Sequence, residues 1–497
     1  MSFTEHKIIK ERLQKEKGNR FQQGGPRIAM LYPSPYKAGM SSLGYQWIIS
    51  RLQEQGFSVE RVFLPDHPEQ WTGPLVSYET QTPLSHFPVI GISLAYELEL
   101  AGLIQCFDLS GIPPLREDRK DTRIILGGPL TFSNPIPAAP FVDAILLGEA
   151  EDVVGEAFSS AFHSSREEWF SVLQELPGAY IPEIHGEKLP EIAKASDETL
   201  PARSHIITPD AELSSMFLIE GERGCHRSCT FCVMRRSTNG GMRLVTPDRI
   251  LSFVPTYAPR VGLVGAAISD HPQLPELLSK LIENGKGVGV SSLRADRIAR
   301  KPIIAKLLRE GGYKTLTVAS DAASHRLRKN ISKGTLEKHL ISCAEQAAEH
   351  KYNLLKIYMM LGLPDEQDED VEELIRFCTE ISKIHPIALG IAPFVPKKNT
   401  PMDTNSFAGI KTVEKKLQLL ERGLRSTKGK AQIRSTSVKW AWIEYMLAQG
   451  GFETGYAVLN SVRNGGKFAD WKRALQEIDR DSMAPWRKEG RELIPLL

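Results

Sequence analysis

An α/β fold in two βα-rich halves is predicted by three features of this 497-residue chain. Short apolar runs alternate with amphipathic stretches over 27–160, and the same alternation resumes from Met216. Between them, 165–210 holds several prolines, mixed charges and no sustained period. Alternation of this kind builds parallel sheets, because each return between parallel strands needs a crossover, usually a helix. The expected architecture is an N-terminal doubly wound (Rossmann-like) parallel sheet over 1–164 and a linker over 165–210. A partial (β/α)6 barrel over 211–400 and a small α+β C-terminal extension over 401–497 follow.

In the first half, Arg27-Ile-Ala-Met-Leu-Tyr32 reads as a strand, followed by a helix over about 43–55 and a second strand over 57–63. The runs 89–94, 123–126 and 143–147 are short, apolar and followed by turn residues or a helical pattern, as buried strands are. Ligands of doubly wound sheets bind beyond the carboxyl ends of the strands. Those ends carry Pro33-Ser34, Ser93, Gly127-Gly128 and Gly148-Glu149. Glycine there lets a backbone approach a bulky ligand, and it equally serves a plain strand-ending turn. In the second half, strands are expected at 216–220, 261–268, 287–292, 314–319, 354–361 and 387–394, with helical patterns between them.

Three of the six cysteines stand in one loop, Gly224-Cys-His-Arg-Ser-Cys-Thr-Phe-Cys-Val-Met234. Three thiolates that close together can hold three irons of a [4Fe–4S] cube and leave the fourth without a protein ligand. A zinc site using His226 is the competing reading, but that side chain sits directly beside Cys225 and no second C-x-x-C pair exists. Cys106, Cys343 and Cys378 lie in apolar or helical sequence and read as inert buried thiols. The triplet follows the first strand of the second half, at the carboxyl end where barrels of this kind place their chemistry.

The C-x-x-x-C-x-x-C spacing resembles the defining motif of the radical S-adenosylmethionine (SAM) superfamily, and Cys225, Cys229 and Cys232 are then its cluster ligands. The resemblance implies a [4Fe–4S] cluster whose open iron binds the amino and carboxylate groups of SAM. It places Phe231 near the adenine, or else as an aromatic anchor of the loop. Superfamily members often carry Gly-Gly-Glu after the second strand, touching the SAM amino group. Here the run is Gly265-Ala-Ala-Ile-Ser-Asp270, so Ser269 and Asp270 stand in by position. The third strand ends in Ser291-Ser-Leu-Arg-Ala-Asp296, which makes Ser292 and Arg294 candidates. The Arg294 fork suits the SAM carboxylate, and it suits Asp296 equally. Asp321 is placed to accept from ribose hydroxyls. Leu361-Gly362-Leu-Pro-Asp-Glu366 resembles the G-L-P-x-E turn near the adenine, and Pro393 ends the sixth strand. The implied chemistry is one-electron cleavage of SAM to a 5′-deoxyadenosyl radical, fed by a donor such as flavodoxin or ferredoxin.

The first half resembles the cobalamin (B12)-binding domain that precedes many radical SAM barrels. The likeness covers Leu43-Gly44, Gly91-Ile-Ser-Leu94, Leu126-Gly-Gly-Pro129 and Val142-Asp-Ala-Ile-Leu-Leu-Gly-Glu149. It implies cobalamin near Ser93, Gly127, Gly128 and Gly148, and methyl transfer to carbon or phosphorus. Domains of that family which ligate cobalt from below carry D-x-H-x-x-G after the first strand. This chain has Tyr32-Pro-Ser-Pro-Tyr-Lys-Ala-Gly39, without histidine, which excludes a lower axial histidine from that loop. Methylthiotransferases share the domain order but need three further N-terminal cysteines, and only Cys106 precedes the triplet.

A net charge of +2, with 41% apolar and 25% charged residues, gives no argument for nucleic acid or membrane. No run of eighteen apolar residues occurs and the first residues lack an apolar signal core, so a cytoplasmic protein is expected. From Lys411 to Lys439 nine Lys or Arg stand against two Glu. That stretch reads as a solvated helical face, since no aromatic platform is interleaved with it. Trp440, Trp442 and Tyr445 read as core of a later helix. Gly-Gly-Lys-Phe-Ala-Asp-Trp471 resembles the C-terminal extension of some radical SAM proteins with B12-type domains. A non-catalytic iron–sulfur RNA-binding or sensor protein is the reading from another class. The basic tail is its only support.

Overall fold

A computed structural model describes residues 3–19, 21–163, 165–234 and 241–478. The described residues up to Phe217 group with those from Met446 onward, and those from Leu218 to Tyr445 form a second unit.

In the first unit, β1 (Arg27–Tyr32), β2 (Ser58–Phe63), β3 (Val89–Ser93), β4 (Arg123–Gly127) and β5 (Ala144–Leu146) pair parallel in the order β2-β1-β3-β4-β5. All five expected strands are present, with no end shifted by more than one residue. Every residue of β2 and β3 is buried, as strands covered on both faces must be. Edge strand β2 nonetheless carries Glu60 and Arg61, each buried because it is paired. Arg61 donates to Glu16 at 2.7 Å and to Glu79 at 2.6 Å, and Glu60 accepts from Arg27 and Ser77 at 2.6 Å each.

Two segments of this unit depart from the sequence reading. The expected linker over 165–210 carries a helix, Arg166–Glu175, opened by a Ser165–Glu168 capping box that buries Trp169 and Phe170. It also supplies β6 (Ala179–Tyr180), antiparallel to β5. A ten-residue helix and a two-residue strand are too short to impose a visible period. The helix Phe3–Lys15 was likewise not expected. The C-terminal helix Phe452–Arg463 packs against 136–141, where a Cβ on Gly455 would lie 2.4 Å from the Pro137 carbonyl. Buried Asn134 Nδ2 donates to the carbonyls of Leu447, Ala448 and Gly450 at 3.2, 3.1 and 2.8 Å.

The second unit begins with β7 (Met216–Glu220), which continues into β8 (Glu222–Gly224); β8 pairs antiparallel with β9 (Met242–Leu244). Next come β10 (Arg260–Val264) and β11 (Gly287–Val290), with β7 beside β10. The Ser291-Ser292 break leads into β12 (Leu293–Arg294), followed by β13 (Thr315–Ala319), β14 (Leu354–Leu361) and β15 (Ile387–Pro393). A further strand, β16 (Ala431–Ser435), extends the sheet beside β15. Adjacent strands are parallel from β10 to β11 and from β12 through β16. The barrel of parallel strands is therefore present, with a seventh parallel element that sequence reading placed in a basic helical face. β16 reads Ala-Gln-Ile-Arg-Ser, too polar to look like a buried strand. The helix before it, Ile410–Leu424, buries Lys416 rather than solvating it.

Candidate active site

Gly224 ends β8 at φ 104°, a conformation glycine reaches without strain, and the chain turns there into the cysteine loop. The β8–β9 ladder pairs Gly224 with Met242 and so clamps the loop at its base. Cys229 is buried, and Cys225 and Cys232 are half-buried. The Arg227 N–H donates to Cys225 Sγ at 3.4 Å, and the Thr230 N–H donates to the Ile331 carbonyl at 3.2 Å. Cys229 Sγ lies 3.8 Å from the Ser332 carbonyl. Burial pushes the Cys232 thiol up to about 11 and raises Cys225 as well. Binding a metal there must displace those protons. A cube takes each thiolate on its own iron, so the sulfurs need not converge; among the described residues no three His, Cys, Asp or Glu side chains do. Cys106, Cys343 and Cys378 are fully buried, as expected of inert thiols.

Asp270, at the turn after β10, has a fully buried side chain. Arg227 grips it bidentately at 2.8 and 2.9 Å, Arg297 from the other side, and the ring of His226 lies 3.6 Å away. Burial opposes its charge, yet the Arg227 and Arg297 hydrogen bonds outweigh that and hold the carboxyl below its usual range. Arg294 continues the network. Its Nε donates to Asp296 at 3.0 Å and its Nη2 to the Lys333 carbonyl at 3.0 Å, while its backbone N–H donates to Ser269 Oγ at 3.1 Å. The structure thus brings Ser269, Asp270 and Arg294 together, joined to the cysteine loop through Arg227. Ser292 is exposed in the break between β11 and β12, and Phe231 is half-buried within the loop.

Asp321 adopts φ 63° after β13 and pairs with the buried Lys333, whose charge also favours the Cys232 thiolate. Gly362, at φ 82°, donates its N–H to Glu366 Oε1 at 2.9 Å, and Lys416 Nζ reaches the same oxygen at 2.9 Å. Glu366 therefore closes its own turn, and burial raises its pKa. Pro393 is buried opposite Leu361.

Sequence reasoning missed Glu222. This β8 residue is fully buried, accepts from the Ala267 N–H at 2.6 Å through Oε1, and has no partner for Oε2. A Cβ on Gly265 would lie 2.3 Å from Oε1, so Gly265 is the residue that admits the carboxylate. The only sequence signal was an acid in a strand three residues before a cysteine, which says nothing of burial. Burial raises Glu222 to about 7. In the unfolded chain it ionises near 4.3, so stability declines as pH rises from that value to about 7 and is level above it. Glu222→Gln is expected to be the more stable protein at pH 8 by about 3 kcal/mol and to match wild type near pH 4. Urea unfolding at both pH values checks this; identical profiles would show that Glu222 is not held neutral.

Of the first-unit candidates, Gly128 (φ 106°) would place a Cβ 2.5 Å from the Leu94 carbonyl. For Gly148 (φ 89°) the neighbour is the Ala193 carbonyl at 2.6 Å. Both make room for the chain's own backbone. Gly127 has only the Leu146 carbonyl at 3.8 Å, and Ser93 is buried beside it in the β3–β4 register.

Two family profiles match the chain: radical SAM proteins, N-terminal, over 44–182, and the radical SAM superfamily over 219–378. The chain belongs to the radical SAM superfamily. Members use a [4Fe–4S] cluster and S-adenosylmethionine. The chain is 27% identical over 415 residues to the uncharacterised protein MJ0966 of Methanocaldococcus jannaschii, covering 80% of this chain and 83% of that one. It is 23% identical over 275 residues to the uncharacterised methyltransferase PH0819 of Pyrococcus horikoshii, covering 52% and 58%. The radical SAM methyltransferase TsrM of Kitasatospora setae, solved with tryptophan and a SAM analogue, superposes with a TM-score of 0.54 at 13% identity, over 76% and 75% of the two chains. A second TsrM structure, holding cobalamin and a [4Fe–4S] cluster, gives 0.51 at 13% identity over 79% and 78%. At that identity the shared property is the fold, a B12-type doubly wound domain with a radical SAM barrel. No helix among the described residues is long and apolar enough to cross a membrane.

Proposed function

We propose that this chain cleaves S-adenosylmethionine reductively and uses the product to act on an unactivated carbon of its substrate. The observation that carries the reading is the three-cysteine loop, clamped by β8 and β9 at the carboxyl end of a parallel barrel. Cys225, Cys229 and Cys232 would each hold one iron, leaving the fourth for the amino and carboxylate groups of SAM. A cluster held there would supply one-electron reductive cleavage of the SAM sulfonium to methionine and a 5′-deoxyadenosyl radical able to take a hydrogen atom from substrate, the electron coming from a flavodoxin- or ferredoxin-type donor. Around it, Arg227 and Asp270 hold the loop to the β10 turn, and Lys333 and Asp321 set a paired charge beside Cys232. Phe231, Ser292, Gly362 and Pro393 would complete the SAM-facing surface. Anaerobic reconstitution should yield about four irons and four sulfides per chain, and 5′-deoxyadenosine on reduction. Stoichiometric zinc without a cluster would overturn the reading.

Cobalamin-dependent methyl transfer is a second reading, favoured by the similarity to PH0819 and TsrM. The fit is partial. Gly128 and Gly148 have no room for a side chain beside the Leu94 and Ala193 carbonyls, and in the histidine-free loop after β1 Tyr36 is buried on Glu16 at 2.7 Å. Cobalamin would therefore have no histidine ligand from that loop, and Ser93, Gly127, Gly128 and Gly148 are the residues that would face it. Purification with hydroxocobalamin followed by an absorption spectrum separates the two. About one cobalamin per chain is expected for methyl transfer, and none leaves hydrogen abstraction alone.

A further inference from the structure

On β14 the residues alternate. Leu355, Ile357, Met359 and Leu361 are buried on the helix-covered face, whereas Lys356 and Tyr358 belong to the opposite, inner face of the barrel. Tyr358 is 39% exposed there. Lys356 Nζ stands 4.6 Å over the Tyr358 ring and donates to its hydroxyl at 3.2 Å. The strand register aligns Tyr358 with Gly390 on β15 and Gly390 with Arg434 on β16. A Cβ on Gly390 would lie 2.9 Å from the Tyr358 ring and 3.2 Å from Lys356 Cε. The missing side chain thus lets Lys356 and Tyr358 lean across the gap towards Arg434. Two strand spacings, about 10 Å, separate the strands that carry the two cations. Arg434 is exposed and, among the described residues, reaches only its neighbour Gln432 Oε1, at 3.4 Å. No acidic residue occurs anywhere in β13, β14, β15 or β16, and among the described residues no carboxylate pairs with Lys356 or Arg434. Tyr358 lies three residues before the end of β14, about 10 Å below the rim that carries the cysteine loop.

We propose that this inner-face pair, Lys356 and Arg434 with the Tyr358 hydroxyl between them, seats an anionic group of the substrate, a carboxylate or a phosphate. Two unpaired cations facing a common gap fit an anion, and the depth leaves the rest of the substrate to extend up towards the radical. The inference rests on the radical SAM reading. Iron and sulfide content and SAM cleavage by the wild-type protein test that reading separately.

The test is thermal denaturation of the cluster-loaded full chain, titrated with inorganic phosphate and with acetate at constant ionic strength. Wild type is expected to gain a saturable rise in midpoint with at least one anion, and the anion that acts names the class. Lys356→Met and Arg434→Gln should each weaken that response about tenfold, as loss of one charged hydrogen-bonding partner does. Lys338→Met, an exposed helix position, should leave it unchanged. Arg434→Gln decides the matter if Lys356→Met does not fold. Responses equal to wild type in both variants, or no saturable response in wild type, would overturn the proposal. SAM affinity should stay within about twofold in both variants. A tenfold loss of SAM affinity would instead assign the pair to the carboxylate of SAM and overturn the substrate assignment.

Discussion

Replacing Cys225 with alanine is expected to abolish cluster assembly while leaving the fold intact. The side chain is half-buried in a loop whose base is held by the β8–β9 ladder and whose middle is held by the Thr230–Ile331 hydrogen bond; neither involves the thiol. Two remaining thiolates leave two irons of the cube without a protein ligand, so iron and sulfide should fall from about four each to near zero. Formation of 5′-deoxyadenosine should fall to the background of a reductant-only control. Far-UV circular dichroism should overlay that of wild type. A Cys225→Ala protein that keeps its iron and cleaves SAM would remove the loop from the active site. Cys106→Ala should keep both its iron and SAM cleavage, because that thiol is enclosed in the first unit, where burial raises its pKa far above the usual value.

Asp270→Asn is expected to cost the largest amount of stability of any single polar change in the barrel unit, about 3 kcal/mol. The buried carboxylate neutralises two guanidiniums, those of Arg227 and Arg297, and an isosteric amide leaves both facing a neutral group. The sign of the pH dependence follows from the lowered pKa of Asp270. A carboxyl depressed on folding contributes fully above its unfolded value, near 3.9, and the contribution fades as pH falls through the folded value. Wild type should therefore exceed Asp270→Asn at pH 7, and the gap should begin to narrow as pH falls below about 4. Urea unfolding at pH 7 and pH 3.5 measures both. Equal stability at pH 7 would mean that the pair is solvated and the loop is held by other contacts. Because Arg227 lies two residues after Cys225, the variant should also lose reconstituted iron faster in the presence of chelator.

Much of the architecture was readable along the chain because its signals are local. A strand buried on both faces is a short apolar run, and 27–32, 89–94 and 123–126 each hold at most one charged or hydroxyl-bearing residue besides Tyr32, namely Arg27, Ser93 and Arg123. β16 and β6 escaped for the converse reason. One is polar on its exposed face, and the other is two residues long. The 165–210 segment looked irregular because its helix is brief. Its Ser165-x-x-Glu168 capping box was the available signal.

The site divides in the same way. Spacing of three thiols within eight residues is a property of the chain itself, so the superfamily that Cys225, Cys229 and Cys232 mark was legible in the sequence alone. Which partner each later polar residue takes was decided only by tertiary structure. Arg294 could have met a ligand or Asp296, and the fold gives it Asp296. Gly128 and Gly148 read as strand-ending glycines, and only the fold shows that a side chain at either would meet the Leu94 or Ala193 carbonyl. Glu222, Lys333 and the Lys356–Arg434 pair became visible only once strands distant in sequence were aligned. Electrostatic and hydrogen-bond partners are chosen by proximity in space, which pairings tens of residues apart create and local sequence does not encode.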